Sequence, residues 1–185
     1  TLTVWENFTI QNGKLAERAA DNLGAGVALR KQGRVVGCLI QNNTFEYSGN
    51  CIGGGIGHDS GNLNDTCAIN CVVRNNKGTH GGGVRIRGVI LNSVIENNPA
   101  TGPCGGLHLQ GGAAYNCIVR GNQTTGDTGG VRLYGACKLV NCLVADNYCK
   151  GKVGGVGNES ATADIINCTI VNNKQEFNST DKEYC

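Results

Sequence analysis

The chain has 185 residues, of which 39% are hydrophobic and 5% aromatic, with 30 glycines, 11 cysteines and a formal net charge of +2. So few bulky apolar residues among so many glycines exclude a conventional helical or α/β core, and regularly placed Val and Ile exclude a disordered chain. The near-neutral charge gives nucleic acid and membrane surfaces no electrostatic footing, and no run approaches the ~18 apolar residues that a membrane span needs.

A degenerate motif, Phe8-Thr9-Ile10-Gln11-Asn12-Gly13, opens the chain, and residues 14–23 read as an inserted loop with room for one helical turn. Two half-motifs then alternate to the end. The glycine half runs Gly24-Ala25-Gly26-Val27, Gly53-Gly54-Gly55-Ile56, Gly81-Gly82-Gly83-Val84, Gly105-Gly106-Leu107, Gly129-Gly130-Val131 and Gly154-Gly155-Val156. The Asn-ended half runs Cys38 to Asn43, Cys71 to Asn76, Ser93 to Asn98, Cys117 to Asn122, Cys142 to Asn147 and Cys168 to Asn173. The second copy bulges at 58–66, where His58 takes a Leu-type inward slot that Asn158 takes in the last copy. Residues 174–185 form a polar tail. We read 1–185 as one domain, a piece of a longer chain.

Copies recur within the roughly 20–50 residues that mark solenoids and propellers. Inside a copy the pattern has the period of two that strands show. Val140, Cys142 and Val144 fall on one face, and Asn141, Leu143 and Ala145 on the other. The Ala145 slot holds Gln41, Arg74, Glu96 and Arg120 elsewhere, so that face is wet and the Cys/Val/Ile face is the inside. A coil of two such strands cannot bury its own core, but coils stacked about 4.8 Å apart can. The copies are too short for propeller blades and lack the helix-compatible stretch of leucine-rich repeats. The expectation is an all-β, right-handed parallel β-helix of about six coils, the hand following the general rule for parallel crossovers. Asn43, Asn76, Asn98, Asn122, Asn147 and Asn173 share one slot. They predict a structural ladder of side-chain hydrogen bonds, with left-handed backbone at the Asn residues, and positive φ and close approach of a tight bend at the glycine corner.

The Gly-Gly-Val/Ile/Leu motif, paired with Ile40-x-x-Asn43, Ile95-x-x-Asn98 and Ile170-x-x-Asn173, resembles the repeats of the polymorphic outer-membrane protein family. It is also similar to coils of pectate-lyase-like β-helix proteins secreted by Bacteroides relatives. The resemblance covers nearly the whole chain. It implies a secreted or cell-surface bacterial setting and an adhesin-like role, in a superfamily that also holds lyases, hydrolases and tail spikes, so function has to be argued from the site.

The cysteines of the repeat slot would lie side by side at about 4.8 Å, longer than the ~3.8 Å between Cβ atoms of a disulfide, and are expected as buried thiols. The outward slots of the glycine-half strand hold Arg85, His108 and Arg132, then Arg87, Gln110 and Tyr134. They read either as a groove for an acidic polysaccharide or surface glycan, with Arg forks on carboxylates, or as a solvated face. His58 with Asp59 is the best acid–base pair, a weak catalytic candidate. A glycosidase would need two carboxylates roughly 5–9.5 Å apart, whereas Asp59 and Glu159 are about 19 Å apart along the axis. A column of Leu39, Val72, Val94, Ile118 and Leu143, ending in Thr169, reads as an exposed apolar ladder for lateral self-association or as a surface under the chain's own loops. No metal or cofactor is expected, Ca²⁺ entering only if the protein is a lyase. The reading is a non-catalytic extracellular module with possible glycan binding; the alternative is a lyase on an acidic polysaccharide, which an acidic cluster beside Arg85 or Arg132 would favour.

Overall fold

The computed structural model describes residues 3–16, 24–30, 32–46, 53–58, 65–159 and 162–176, whose regular elements are all β-strands paired in parallel. They wind as the expected right-handed parallel β-helix. Each coil visits three sheets. In the first sheet, Val84–Leu91, Leu107–Tyr115 and Val131–Val140 are long strands at the centre. Toward either end the same course splits, into Val27–Leu29 with Arg34–Val36, Ile56–His58 with Thr66–Ile69, and Val156–Asn158 with Asp164–Ile166. The second sheet stacks Thr9–Gln11, Leu39–Gln41, Val72–Arg74, Val94–Glu96, Ile118–Arg120, Leu143–Ala145 and Thr169–Val171. Two-residue strands make the third side, among them Lys14–Leu15 paired with Thr44–Phe45, and Lys174–Gln175 paired with Tyr148–Cys149. Lys14 and Lys174, expected in a loop and a tail, thus still belong to coils.

Two left-handed residues bend each coil. Asn7, Gly37, Asn70, Asn92, Asn116, Asn141 and Asn167 turn the first sheet into the second. Asn12, Asn42, Asn75, Asn97, Gly121, Asp146 and Asn172 turn the second into the third, and φ at all fourteen lies between 49° and 61°. Asn adopts this conformation at less cost than other side chains, which accounts for much of the Asn content. The expectation that the ladder residues themselves are left-handed is therefore corrected by one position: the residue before each of them bends. The bend also resets the strand alternation. Leu139, at 0% exposure, points into the core and Val140 points outward, half-buried, before Cys142 turns in again at 2%. The predicted inward Val140 failed because period-two counting does not survive a left-handed residue.

Inside, Ile40, Val73, Ile95, Val119 and Val144 form one column in register, each fully buried. Burial of such a side chain stabilises by about 1.5–3 kcal/mol. Beside it runs the Asn ladder, whose amides bond as expected: Asn43 Nδ2 donates to Asn76 Oδ1 (2.9 Å), Asn76 to Asn98 (3.2 Å), Asn98 to Asn122 (2.9 Å), Asn122 to Asn147 (3.0 Å) and Asn147 to Asn173 (2.9 Å). Each Nδ2 donates its second hydrogen to a carbonyl of the preceding coil, as Asn122 does to Ile95 O at 2.9 Å. Each Oδ1 also accepts the backbone N–H of the preceding ladder residue, as Asn122 Oδ1 does from Asn98 at 3.0 Å. All four hydrogen-bonding positions of a buried amide are thereby filled. At the first coil Gly13 replaces the Asn, and its N–H meets Asn43 Oδ1 at 2.8 Å.

The repeat glycines abut this ladder. None of them has positive φ, contrary to expectation; the close approach expected of them is what requires glycine. A Cβ on Gly106 would lie 2.6 Å from Gly130 O and 2.9 Å from Asn122 Nδ2, distances that no side chain tolerates.

Candidate functional site

The outer face of the first sheet carries most of the candidate residues. Strand register puts Arg85, His108 and Arg132 in one row and Gln110 beside Tyr134 in the next. The first row is not a wet groove. His108 is 3% exposed, beneath the turn at His80 in the preceding coil, and its Nδ1–H donates to His80 O at 3.0 Å. That bond fixes the tautomer, leaving Nε2 as a buried acceptor without a hydrogen-bond partner. Burial first, and then the Arg85 and Arg132 guanidiniums, push its pKa down from 6.5 to about 3. A base that is neutral when folded and titrates normally when unfolded costs stability in acid. The stability it contributes is complete above about pH 6.5 and is lost as pH falls toward 3. The expected slope in that window is about 1.4 kcal/mol per pH unit, and urea titrations at pH 6 and pH 4 of the wild type and His108→Gln check it. An equal loss in both proteins would assign the acid sensitivity elsewhere.

Arg132 is also committed. Its Nε and Nη2 bind Glu159 Oε1 and Oε2 at 3.0 and 2.6 Å, a two-pronged pair that neutralises the guanidinium. One carboxylate therefore does sit beside Arg132, reached diagonally from the following coil, but it is a single group and not a cluster. What stays open on this face is the second row: Arg87 and Tyr134 are exposed, Tyr134 by 53%, with Gln110 half-buried between them.

His58 lies inward as predicted, fully buried at the end of its strand, with Nδ1 3.6 Å from Cys67 Sγ. That burial removes it from any exposed acid–base pair. Asp59 lies outside the described residues. Burial pushes the Cys67 thiol up to about 12, so Cys67 is no nucleophile at neutral pH.

The repeat-slot thiols are free and stacked, with Cys38, Cys71, Cys117 and Cys142 buried and Cys168 partly exposed; Ser93 fills the gap and receives the Cys71 N–H at 3.1 Å. The Cys142 sulfur receives the Cys117 N–H at 3.4 Å, and a hydrogen bond between the two thiols, followed by burial, pushes the Cys117 thiol up. Cys104, fully buried near Arg132, is held up at about 12. Iodoacetamide labelling of the native protein at pH 8, read by peptide mass mapping, is expected to modify partly exposed Cys168 at least tenfold faster than Cys104 or Cys117, whose burial blocks access and keeps the thiols protonated. Uniform labelling would mean that the coils open together on the labelling timescale.

The predicted apolar ladder of Leu39, Val72, Val94, Ile118 and Leu143 is one column in register on the second sheet, half-buried rather than fully exposed. A second outward apolar column, Val36, Ile69, Leu91, Tyr115 and Val140, runs along the first sheet on the other side of the Asn corner. It escaped sequence reading through the same alternation error that misplaced Val140.

Among the described residues no group of three His, Cys, Asp or Glu side chains is placed to hold a metal ion, and no helix is long and apolar enough to cross a membrane. Against known proteins, no family model, curated protein or solved structure matches the chain.

Proposed function

We propose that this chain is a non-catalytic β-helix module of a secreted or cell-surface protein, a stalk- or adhesin-like element that presents Arg87, Gln110 and Tyr134 to a surface glycan, acidic polysaccharide foremost. The observation that supports this reading is where the reactive side chains sit: His58, His108 and Cys67 are buried, and Arg132 is held by Glu159. A guanidinium bound on two sides by a carboxylate is a poor proton acceptor, which counts against a lyase. An exposed aromatic ring beside a planar amide and a guanidinium suits a sugar, which offers an apolar ring face and a rim of hydroxyls. The extracellular setting is carried by the resemblance of the coil motifs.

The test is absorbance at the unsaturated-uronate band during incubation with pectate, alginate and glycosaminoglycans, with and without Ca²⁺, followed by co-sedimentation. The expected result is a flat trace with binding to at least one polymer. A steady rise that Arg132→Ala abolishes would make the protein a lyase and overturn the reading. The in-register column through Val94 and Ile118 is proposed as a lateral contact between copies. Light scattering checks it: a Val94→Lys, Ile118→Lys double variant is expected to lower the particle mass, and the same monomeric mass in both proteins would refute the contact.

A further inference from the structure

The first sheet carries an irregularity that its repeat does not require. Register slips between Ile86 and Gly88 against one neighbour, and between Gln110 and Gly112 against the next. At these slips stand four glycines with positive φ: Gly88 at 141°, Gly111 at 78°, Gly112 at 89° and Gly135 at 81°. Such bulges bend the strand and re-aim the side chains beyond them. A Cβ on Gly112 would lie 2.1 Å from Gly88 O, so no side chain can fill that position. The outward residue of the middle strand is Ala113, set between Val89 on one neighbour and Lys138 on the other, with Gly112, level with Gly88 and buried Cys137, beside it. The result is a cleft of about 420 Å³ with Gly112 and Ala113 as floor and Val89, Tyr115, Lys138 and Thr162 as walls. Exposed Tyr134 stands two residues before Ala136, which also lines it.

Three properties specify an occupant. With Thr162 the cleft spans four coils, about 14 Å from first to fourth at 4.8 Å per coil, room for one or two sugar rings. Both edges of its floor strand are already paired, so a peptide cannot dock there by adding a strand. The surrounding charges are Arg85, Arg87, Arg132 and Lys138 against Asp65, Glu159 and Asp164; four cations less three carboxylates leave one positive charge, with His108 neutral. Lys138 lies 3.5 Å from Asp164, and both side chains are more than half exposed, a pairing loose enough for the ammonium to turn to a ligand.

We propose that this cleft is a subsite for one carboxylate-bearing sugar ring of an acidic glycan, the ring lying over Gly112 and Ala113 against Tyr115 and its carboxylate reaching Lys138. This rests on the glycan-binding reading above and extends it to a residue set, Ala113, Tyr115 and Lys138, that the repeat pattern did not single out.

Titration calorimetry with oligogalacturonate and hyaluronan oligosaccharides, each in native and carboxyl-reduced form, tests the proposal. Ala113→Leu adds bulk at the cleft floor, where Ala113 is itself buried, and Lys138→Gln removes the cation from an exposed position. Each is expected to weaken binding at least tenfold, Lys138→Gln with an unchanged melting temperature, and carboxyl reduction is expected to weaken binding by the wild type likewise. Wild-type binding that Arg87→Ala weakens but both cleft variants leave intact would overturn the subsite and keep the glycan-binding face. Equal affinity for native and reduced sugars would overturn the carboxylate. No binding of any oligosaccharide by the wild type would overturn both readings together.

Discussion

Asn122→Ala is expected to lose about 4 kcal/mol or more of folding stability, against a total of about 5–15 kcal/mol for a domain of this kind. The substitution does not merely delete a side chain. It removes the acceptor of the Asn98 backbone N–H and of one Asn98 Nδ2 hydrogen, and the side-chain donor to the Ile95 carbonyl and to Asn147 Oδ1. Each stranded group costs about 1–3 kcal/mol where water cannot reach it, and Asn122 is 1% exposed. Asn173→Ala removes the equivalent bonds to Asn147 and Val144, but Asn173 is partly exposed at the last described coil, where water can substitute. Its cost is expected near 1 kcal/mol. Urea unfolding of the two variants decides it. Equal losses at Asn122 and Asn173 would mean that the ladder's strength does not come from burial.

The second large effect separates two kinds of glycine. Gly106→Ala would put a Cβ 2.6 Å from Gly130 O, 2.8 Å from Val119 Cγ1 and 2.9 Å from Asn122 Nδ2, with a carbonyl, a core residue and the ladder all in the way. No rotamer relieves contacts at Cβ, so coils must shift apart, at about 3 kcal/mol or more. At Gly135 the backbone is left-handed, φ 81°, yet the nearest atom to an added Cβ is Gly111 N at 3.7 Å. Gly135→Ala therefore meets only the dihedral cost of about 1–2 kcal/mol. If melting temperatures rank the two variants the other way, close coil packing is not what selects glycine in the repeat.

The Asn column was legible in the sequence because a buried amide with four satisfied bonds must recur in every coil, at Asn43, Asn76, Asn98 and onward. The inward Cys142 and Val144 were legible because they come after the bend. Val140 precedes it, and a left-handed Asn141 inverts the count without any mark that distinguishes it from an ordinary exposed Asn. The burial of His108 was invisible for another reason: its cover is the turn at His80, 28 residues earlier, which shares a slot with nothing that the repeat defines. Glu159 reaches Arg132 across a diagonal, whereas slot-by-slot alignment compares only residues level with each other. The cleft depends on an extra residue in each of two successive strands, and a bulge is a shift of register that the glycines Gly111, Gly112 and Gly135 merely permit.

The parallel stacking of the coils also dictates how the molecule would bear a load. Hydrogen bonds between coils point along the long axis, so tension on the two ends loads the coil interfaces in series, and the weakest yields first. The interface of Leu107–Tyr115 with Val131–Val140 is the longest on the first sheet, while Val35–Val36 meets Ala68–Ile69 over two residues. Under pulling force the N-terminal coils would peel away one at a time while the central coils hold, so the molecule would extend in steps and behave as a graded fuse rather than a single latch.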